Sequence, residues 1–397
     1  MQREIFNDEH RWFRESVATF VARELMPARE RCRAQRAIDR ELWLKAGGAG
    51  FLGLGVPDRY GGADTDDFRF NAIWGEELAK AGMAFASSFG IQTDVVAPYL
   101  LELTTEEQKE RWLPGFSQGE LIAAIGMTEP EVGSDLARLR STATLDGDAW
   151  ILNGSKTFIT NGFNADLIIV AARSGDRNGR GITLLVVEAE MEGFSRGRKL
   201  DKIGQHEADT AELFFEDVRV PASHLLGEAG QGFSYMMHRL PQERLSGACV
   251  NVAHAAHALE LTLRYATQRR AFGQTIGSFQ HNRFVLAELV TSIDVAQCYV
   301  DRCLARHVAG TLTPVEAAKA KLWTSEVQNR VIDACVQLHG GYGYMEEYDV
   351  ARAWADARVS KIWGGTNEIM KEVIGRSLQL DGAEENLAER HEIGRKR

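Results

Sequence analysis

The stretches Trp150-Ile151-Leu152-Asn153-Gly154, Leu167-Ile168-Ile169-Val170-Ala171, Ile182-Thr183-Leu184-Leu185-Val186-Val187 and Thr210-Ala211-Glu212-Leu213-Phe214-Phe215 decide the fold. Each is a short apolar or alternating run bounded by Gly, Asn or Asp, the pattern of a strand. Helical patterns of crossover length do not separate them, so residues 121–235 are expected to form an antiparallel barrel or sandwich and not a parallel nucleotide-binding sheet. On both sides the period becomes helical. Residues 6–26 place Phe6, Phe13, Val17, Phe20, Val21 and Leu25 at three- and four-residue intervals, which predicts an amphipathic helix stopping at Pro27. Thr105-Glu106-Glu107-Gln108, ahead of Trp112 and Leu113, predicts a helix start capped by Thr104 or Thr105. Farther on, Leu286, Leu289, Val290, Ile293, Val300 and Leu304 form one stripe, and Thr313-Pro314-Val315-Glu316 supplies a cap, an N1 proline and an N3 glutamate. Successive long helices of this kind predict a bundle. The expected fold class is α+β multidomain: an N-terminal all-α domain over 1–120, a middle β domain over 121–235 and a C-terminal helical bundle over 236–397.

At 397 residues the chain is long enough for two or three domains with sizeable cores. Its 56 acidic against 46 basic residues give a net charge of −10, which argues against a nucleic-acid-binding surface. Cys32, Cys249, Cys298, Cys303 and Cys335 form an odd set without a Cys-x-x-Cys pair, so neither zinc nor a disulfide framework is expected. The last four fall in helical apolar contexts, where a free cysteine acts as a small hydrophobe, and a reducing compartment follows. The opening Met1-Gln2-Arg3-Glu4 is unlike a targeting peptide, and no run approaches the roughly 18 apolar residues of a membrane span. A soluble, cytoplasmic protein is expected, with a charged tail, Glu384 to Arg397, that frays at its end.

Two tempting patterns do not carry function. Gly48-Ala49-Gly50-Phe51-Leu52-Gly53 fits Gly-x-Gly-x-x-Gly letter for letter, but that motif needs a strand before it and a helix after. Here a helix precedes, and Gly55, Pro57 and Gly61-Gly62 follow, so it reads as a turn between helices. His254 and His257, spaced i, i+3, lack a third ligand and read as one helix face.

The chemistry rests on two stretches. Ile362-Trp363-Gly364-Gly365-Thr366-Asn367-Glu368-Ile369-Met370 resembles the C-terminal active-site motif of the acyl-CoA dehydrogenase family, except that Gly364 stands where many members carry the glutamate that removes the substrate α-proton. Leu240-Pro241-Gln242-Glu243-Arg244 is similar to the long-chain and isovaleryl branch of that family, in which the base lies on an earlier helix. The resemblance makes Glu243 the candidate base. By residue chemistry alone, Glu243 reads as a surface carboxylate paired with Arg239 at i, i+4; the vacancy at Gly364 reverses that reading.

Further motifs extend the resemblance over essentially the whole chain. Met127-Thr128-Glu129-Pro130-Glu131-Val132-Gly133-Ser134-Asp135 is similar to the family loop along the FAD isoalloxazine and pyrophosphate, which implies cofactor contacts from Met127, Thr128 and Ser134, with Ser134 also at the thioester end of the substrate. Taken alone it is a polar, Gly-containing turn. Lys156-Thr157-Phe158-Ile159-Thr160-Asn161-Gly162 looks like the strand and turn packed on the flavin. Phe158 keeps the aromatic face where many members have tryptophan, and Ile159 and Thr160 follow it to the N5 edge; alone, this is a strand entering an Asn-Gly turn. Arg269-Arg270-Ala271-Phe272-Gly273-Gln274 with Gln280, and Gln337-Leu338-His339-Gly340-Gly341-Tyr342-Gly343-Tyr344, match motifs that reach FAD across a subunit boundary. They imply cofactor roles for Arg269, Gln280, Gln337, Leu338, His339, Gly340 and Gly341. Thr366, Asn367 and Glu368 would close over FAD, Arg244 would meet the CoA portion, and the Gly364-Gly365 backbone would bind the substrate carbonyl.

The resemblance implies a homotetrameric, FAD-dependent enzyme with an N-terminal helical domain, a middle β-barrel domain and a C-terminal four-helix bundle. It would convert an acyl-CoA to the trans-2-enoyl-CoA, with Glu243 taking the α-proton, the β-hydride passing to flavin N5, and electrons going on to an electron-transferring flavoprotein. Two alternatives remain: a related flavin oxidase using O2, and a catalytically silent FAD- or acyl-CoA-binding protein. Acyl chain length and branching are not legible in the residues.

Overall fold

The computed structural model describes residues 3–175 and 181–380. Met1, Gln2 and the charged tail from Glu384 lie outside them.

Helix α1 (Asp8–Phe20) does not stop at Pro27 as its periodicity suggested. The chain passes through a π turn at Val21–Leu25 and continues into α2 (Met26–Gln35), with Pro27 in the first turn. The helix runs on through the π turn, whose Met26 N–H bonds the Val21 carbonyl, and this wider turn is where the ladder bond that Pro27 cannot donate is left out. Next come α3 (Arg40–Gly48), α4 (Arg69–Ala81), α5 (Met83–Gly90), a second π turn at Ile91–Val96, α6 (Ala97–Glu102) and α7 (Glu106–Ser117). Thr105 is the cap of α7: its hydroxyl accepts from the Gln108 N–H at 3.3 Å, and Gln108 Oε1 accepts from the Thr105 N–H at 2.9 Å. Thr104 donates back to the Leu100 carbonyl instead. The Gly48–Gly53 stretch closes α3 and turns away with Gly50 at φ 79°, with no strand before it.

Eight strands follow: β1 (Ala123–Gly126), β2 (Thr142–Asp146), β3 (Ala149–Thr160), β4 (Leu167–Arg173), β5 (Ile182–Glu188), β6 (Phe194–Lys199), β7 (Thr210–Pro221) and β8 (Leu225–Leu226). They pair in the order β6-β7-β3-β2-β4-β5-β8, with β1 beside β4. The sheet departs from the antiparallel barrel expected in two ways. β1 runs parallel to β4, with Ala123 opposite Leu167, and β2 meets β4 through the parallel pair Thr142–Arg173. Among the described residues the path is also open, ending on β6 and β8. Strand direction is set by which edge the incoming chain reaches, and local alternation carries no information on that. The unbroken apolar runs of β4 and β5 have a clear cause. Leu167, Ile169, Ala171, Leu184 and Val186 pack with Trp112, Phe116 and Met236 of the helices, while Ile168, Val170, Ala172, Leu185 and Val187 pack with Trp150, Leu213 and Phe215 of the sheet. Both faces are buried, so neither can be polar.

Helices return as α8 (Gly232–Gln268), α9 (Gln280–Val308), α10 (Pro314–His339), α11 (Asp349–Ala357) and α12 (Asn367–Ser377). Pro241 lies inside α8 without interrupting it. The stripe of α9 packs as expected against Leu245, Ala248 and Val252 of α8 and Val327 and Val331 of α10, except at Val290, which is 41% exposed. It follows Leu289 by one residue, about 100° round the helix. Cys298 is likewise exposed, whereas Cys249, Cys303 and Cys335 are buried as expected.

Candidate active site

The first turns of α8 are anchored to the second π turn. Ser246 Oγ donates to the Asp94 carboxylate, and Gln242 Nε2 donates to the Asp94 carbonyl at 2.9 Å. Asp94 is itself buried and also accepts from Asn71 Nδ2 at 2.9 Å and Thr93 Oγ1 at 2.8 Å. Between these two anchors on α8 stands Glu243. Its Oε1 is buried and, among the described residues, has no hydrogen-bond partner. Burial pushes the carboxyl up to about 7, against the opposing pull of Arg244, the Tyr99 hydroxyl and Arg239. Arg239 does not take Glu243 as an ion-pair partner; it pairs with Glu102 at the rim. The surface-pair reading of Glu243 therefore fails in the fold.

The adjacent Arg244 is buried and points to the glycine loop, where its Nε donates to the Gly364 carbonyl at 3.3 Å. This ties the loop lacking a side chain to the residue next to the base candidate. Gly364 has φ 62°, and a Cβ built on it would meet nothing within 4 Å. Its N–H has no protein acceptor among the described residues. Lys321 fixes the same loop from α10, donating to the Gly365 carbonyl at 2.7 Å and to Asn367 Oδ1 at 2.9 Å. Burial, with Arg244 nearby, lowers this lysine to about 8. Asn367 is committed to protein partners, accepting also from Ser325 Oγ and donating to Glu326 Oε1 at 2.8 Å. Thr366 caps α12 by accepting from the Ile369 N–H, and Glu368 is exposed. The Glu368 carboxylate reaches back to its own N–H and the Thr366 hydroxyl, and these hydrogen bonds hold its pKa below the usual value.

On the β side, Lys156 is wholly buried and donates to Glu129 Oε1 at 2.8 Å and to the Met127 carbonyl at 3.2 Å. Glu129 also accepts the Arg140 and Ser141 N–H groups. Burial works against its charge, yet Lys156 and these donors bring its pKa below the usual value, while burial lowers Lys156 to about 8. The Thr157 N–H donates to the Thr128 carbonyl at 3.0 Å, so the Met127–Glu129 loop is stapled to β3 at three points. Immediately after, β3 slips register between Lys156 and Ile159, and Phe158 is thrown out at φ 59° with 68% of its surface exposed. A left-handed conformation costs a bulky residue about 1–2 kcal/mol. Ile159 behind Phe158 is buried, Thr160 half-buried, and Ser134 exposed on its loop.

Arg269, Gln337, Leu338, His339, Gly340 and Gly341 line a separate cavity of about 510 Å³, with the Arg269 guanidinium 5.5 Å from the Tyr342 ring. His339 belongs to the wall: its Nδ1 bonds the Cys335 carbonyl at 2.8 Å and its ring stacks on Tyr265 at 4.2 Å. Gln280 opens α9 and is exposed outside this lining. No hydrogen bond or ion pair among the described residues joins this cavity to the Glu243 site. His254 is buried against Gln328 Nε2 at 3.0 Å, and no metal-binding group forms among the described residues. Sequence reasoning missed Tyr99, Asp94 and Lys321. Each is a single polar residue in an otherwise unremarkable helix, and only contact with distant segments gives it meaning.

Family models described as acyl-CoA dehydrogenase N-terminal, middle and C-terminal domains match residues 7–120, 124–218 and 230–379. The chain is 48% identical to the mitochondrial long-chain specific acyl-CoA dehydrogenase of Sus scrofa over 382 residues, covering 96% of this chain and 88% of that protein. Among solved structures, an acyl-CoA dehydrogenase from Geobacillus kaustophilus superposes with a TM-score of 0.93 at 46% identity, covering 96% of this chain and all of the other (100%). An acyl-CoA dehydrogenase from Bacillus anthracis complexed with FAD superposes with a TM-score of 0.89 at 31% identity, covering 95% of this chain and 69% of that one. With the helical, β and helical domains in this order, the chain is an oxidoreductase and belongs to the acyl-CoA dehydrogenase family.

Proposed function

We propose that the chain oxidises an acyl-CoA thioester to the trans-2-enoyl-CoA with Glu243 as the α-proton base. The observation that carries this is the Glu243 carboxyl: buried, with Oε1 unpartnered and its pKa raised to about 7, and linked through its neighbour Arg244 to the Gly364 loop. A carboxylate of ordinary pKa is too weak a base for a thioester α-proton, and burial strengthens it toward the working range. The Gly364 N–H, without a protein acceptor among the described residues, is available to the substrate carbonyl as enolate charge develops. Arg244 and Lys321 hold the two loop carbonyls, which keeps that N–H oriented.

The cofactor in this reading is FAD, which when bound accepts the hydride from the β-carbon. The residues present fit it. Phe158 offers an exposed aromatic face at a strained position, the stapled Met127–Glu129 loop and Ser134 border it, and Arg269 with the Gln337–Gly341 turn offers a charged fork and open backbone to a diphosphate. The separation of the two groups within one chain accords with a cofactor site completed by a second copy. Phe272, Phe284 and Val295, at 96%, 59% and 57% exposure, are apolar groups a tetramer would cover. The electron acceptor in this reading is an electron-transferring flavoprotein, and the Sus scrofa relative makes long-chain acyl-CoA the first substrate to test.

Glu243→Gln is expected to purify as yellow, FAD-loaded protein whose anaerobic bleaching by acyl-CoA is slowed by about 10²–10⁴-fold or more. Bleaching at close to the wild-type rate would remove Glu243 from the mechanism.

A further inference from the structure

We infer that Tyr99 is a positioning residue for the base, its phenol donating the hydrogen bond that holds the Glu243 carboxylate in place. This rests on the reading of Glu243 as the base. Tyr99 lies on α6, is fully buried, and its hydroxyl has no completed hydrogen bond; Glu243 Oε1 is buried and equally without one. Buried polar atoms are almost always paired, because an orphan forfeits its hydration without return. Here the two orphans are chemically complementary, one a phenol O–H donor and the other a carboxylate acceptor, and they lie where α8 is tied to α6 and the π turn before it, by Arg239 to Glu102 and by Gln242 to the Asp94 carbonyl. Closing this contact satisfies both with no third group.

The groups around the carboxylate support the assignment. From α8, Arg239 and Arg244 favour its charged form, but Arg239 is already paired with Glu102 and Arg244 donates to Gly364. Asp94, on the π turn, is saturated by Asn71, Thr93 and Ser246. His307 on α9 lies near Arg239, its pKa lowered by burial and by that arginine, and Lys321 on α10 faces Arg244. Tyr99 is thus the neutral donor facing Glu243, and its hydroxyl makes no other hydrogen bond among the described residues. Its placement has a further consequence. A phenol that donates to the carboxylate fixes the direction of its free lone pair and checks the rise in basicity that burial causes, so that the base is ionised near neutral pH.

The test is the pH profile of anaerobic flavin bleaching by acyl-CoA in the holoenzyme. Tyr99→Phe is expected to move the acidic limb to higher pH by about one unit, with the plateau at high pH kept within about tenfold of wild type. Site-specific 3-fluorotyrosine at position 99, a better donor of nearly the same size, is expected to move the limb the other way. That second variant decides the matter if Tyr99→Phe does not fold. Limbs that stay at the wild-type pH, or a uniform loss of rate at every pH, overturn the proposal. Glu243→Gln is run alongside: wild-type bleaching there overturns the base assignment itself, whereas a slow Glu243→Gln with an unmoved limb at Tyr99 overturns the role of Tyr99 alone.

Discussion

Arg244 Nε donates to the carbonyl oxygen of Gly364, 120 residues away in sequence, at 3.3 Å. The helix that carries the carboxylate therefore holds the loop that lacks one. The proposed base and the backbone proposed to bind the substrate carbonyl are thus tied by a single hydrogen bond between two distant segments.

Arg244→Lys keeps the charge but loses the planar fork, and the shorter reach of its donor geometry should release the loop. A hydrogen bond from a charged group contributes about 1.5–3 kcal/mol, so flavin bleaching should slow by roughly 10- to 100-fold while FAD content stays unchanged. Stopped-flow bleaching together with the absorbance ratio of the purified protein checks this; loss of flavin with an intact rate per flavin would contradict it.

Glu243, as the proposed base, would act only when ionised, and burial raises its pKa to about 7. The wild-type bleaching rate should accordingly climb with pH through an apparent pKa near 7 and then level off. A limb near the ordinary glutamate value would show that the carboxyl is not the desolvated group described above.

The same burial has a stability consequence. Between the ordinary value of 4.5 and about 7 the folded protein holds a proton on Glu243 that the unfolded chain has released, so this group lowers stability as pH rises through that window. Glu243→Gln removes the titration. Its denaturant midpoint relative to wild type should be more favourable at pH 8 than at pH 4.5, and an equal difference at the two pH values would argue against a buried, protonated native carboxyl.

Lys156→Met should be the most damaging change in the β domain. It leaves Glu129 buried with two backbone donors and no counter-charge, and breaking one side of a buried pair costs about 3–5 kcal/mol. Because the same ammonium holds the Met127 carbonyl, flavin retention should fall with the denaturation midpoint. Unchanged flavin content after dialysis would separate that loop from the cofactor.

Much of this was legible in the chain itself. The change of period from 3.6 to 2 and back located the β domain. The capping boxes at Thr105 and Thr313 fell where their residues required, because a cap is a local bargain between neighbours in sequence. The vacancy at Gly364 and the candidate base Glu243 were also readable, since both are statements about which side chain stands in which motif. Tertiary structure decided what depends on distant segments. Pro27 sits within a continuous helix because a π turn leaves out the bond it cannot donate, β1 lies parallel to β4 because of the edge it reaches, and Val290 faces outward by one step of rotation. It also committed Asn367 to Lys321, Ser325 and Glu326, turned Arg244 inward to Gly364, and set Tyr99 against Glu243. Residue identity fixes which groups can donate, accept or ionise. Which of them are buried together, and hence how strongly each holds its proton, is a property of the packed fold alone.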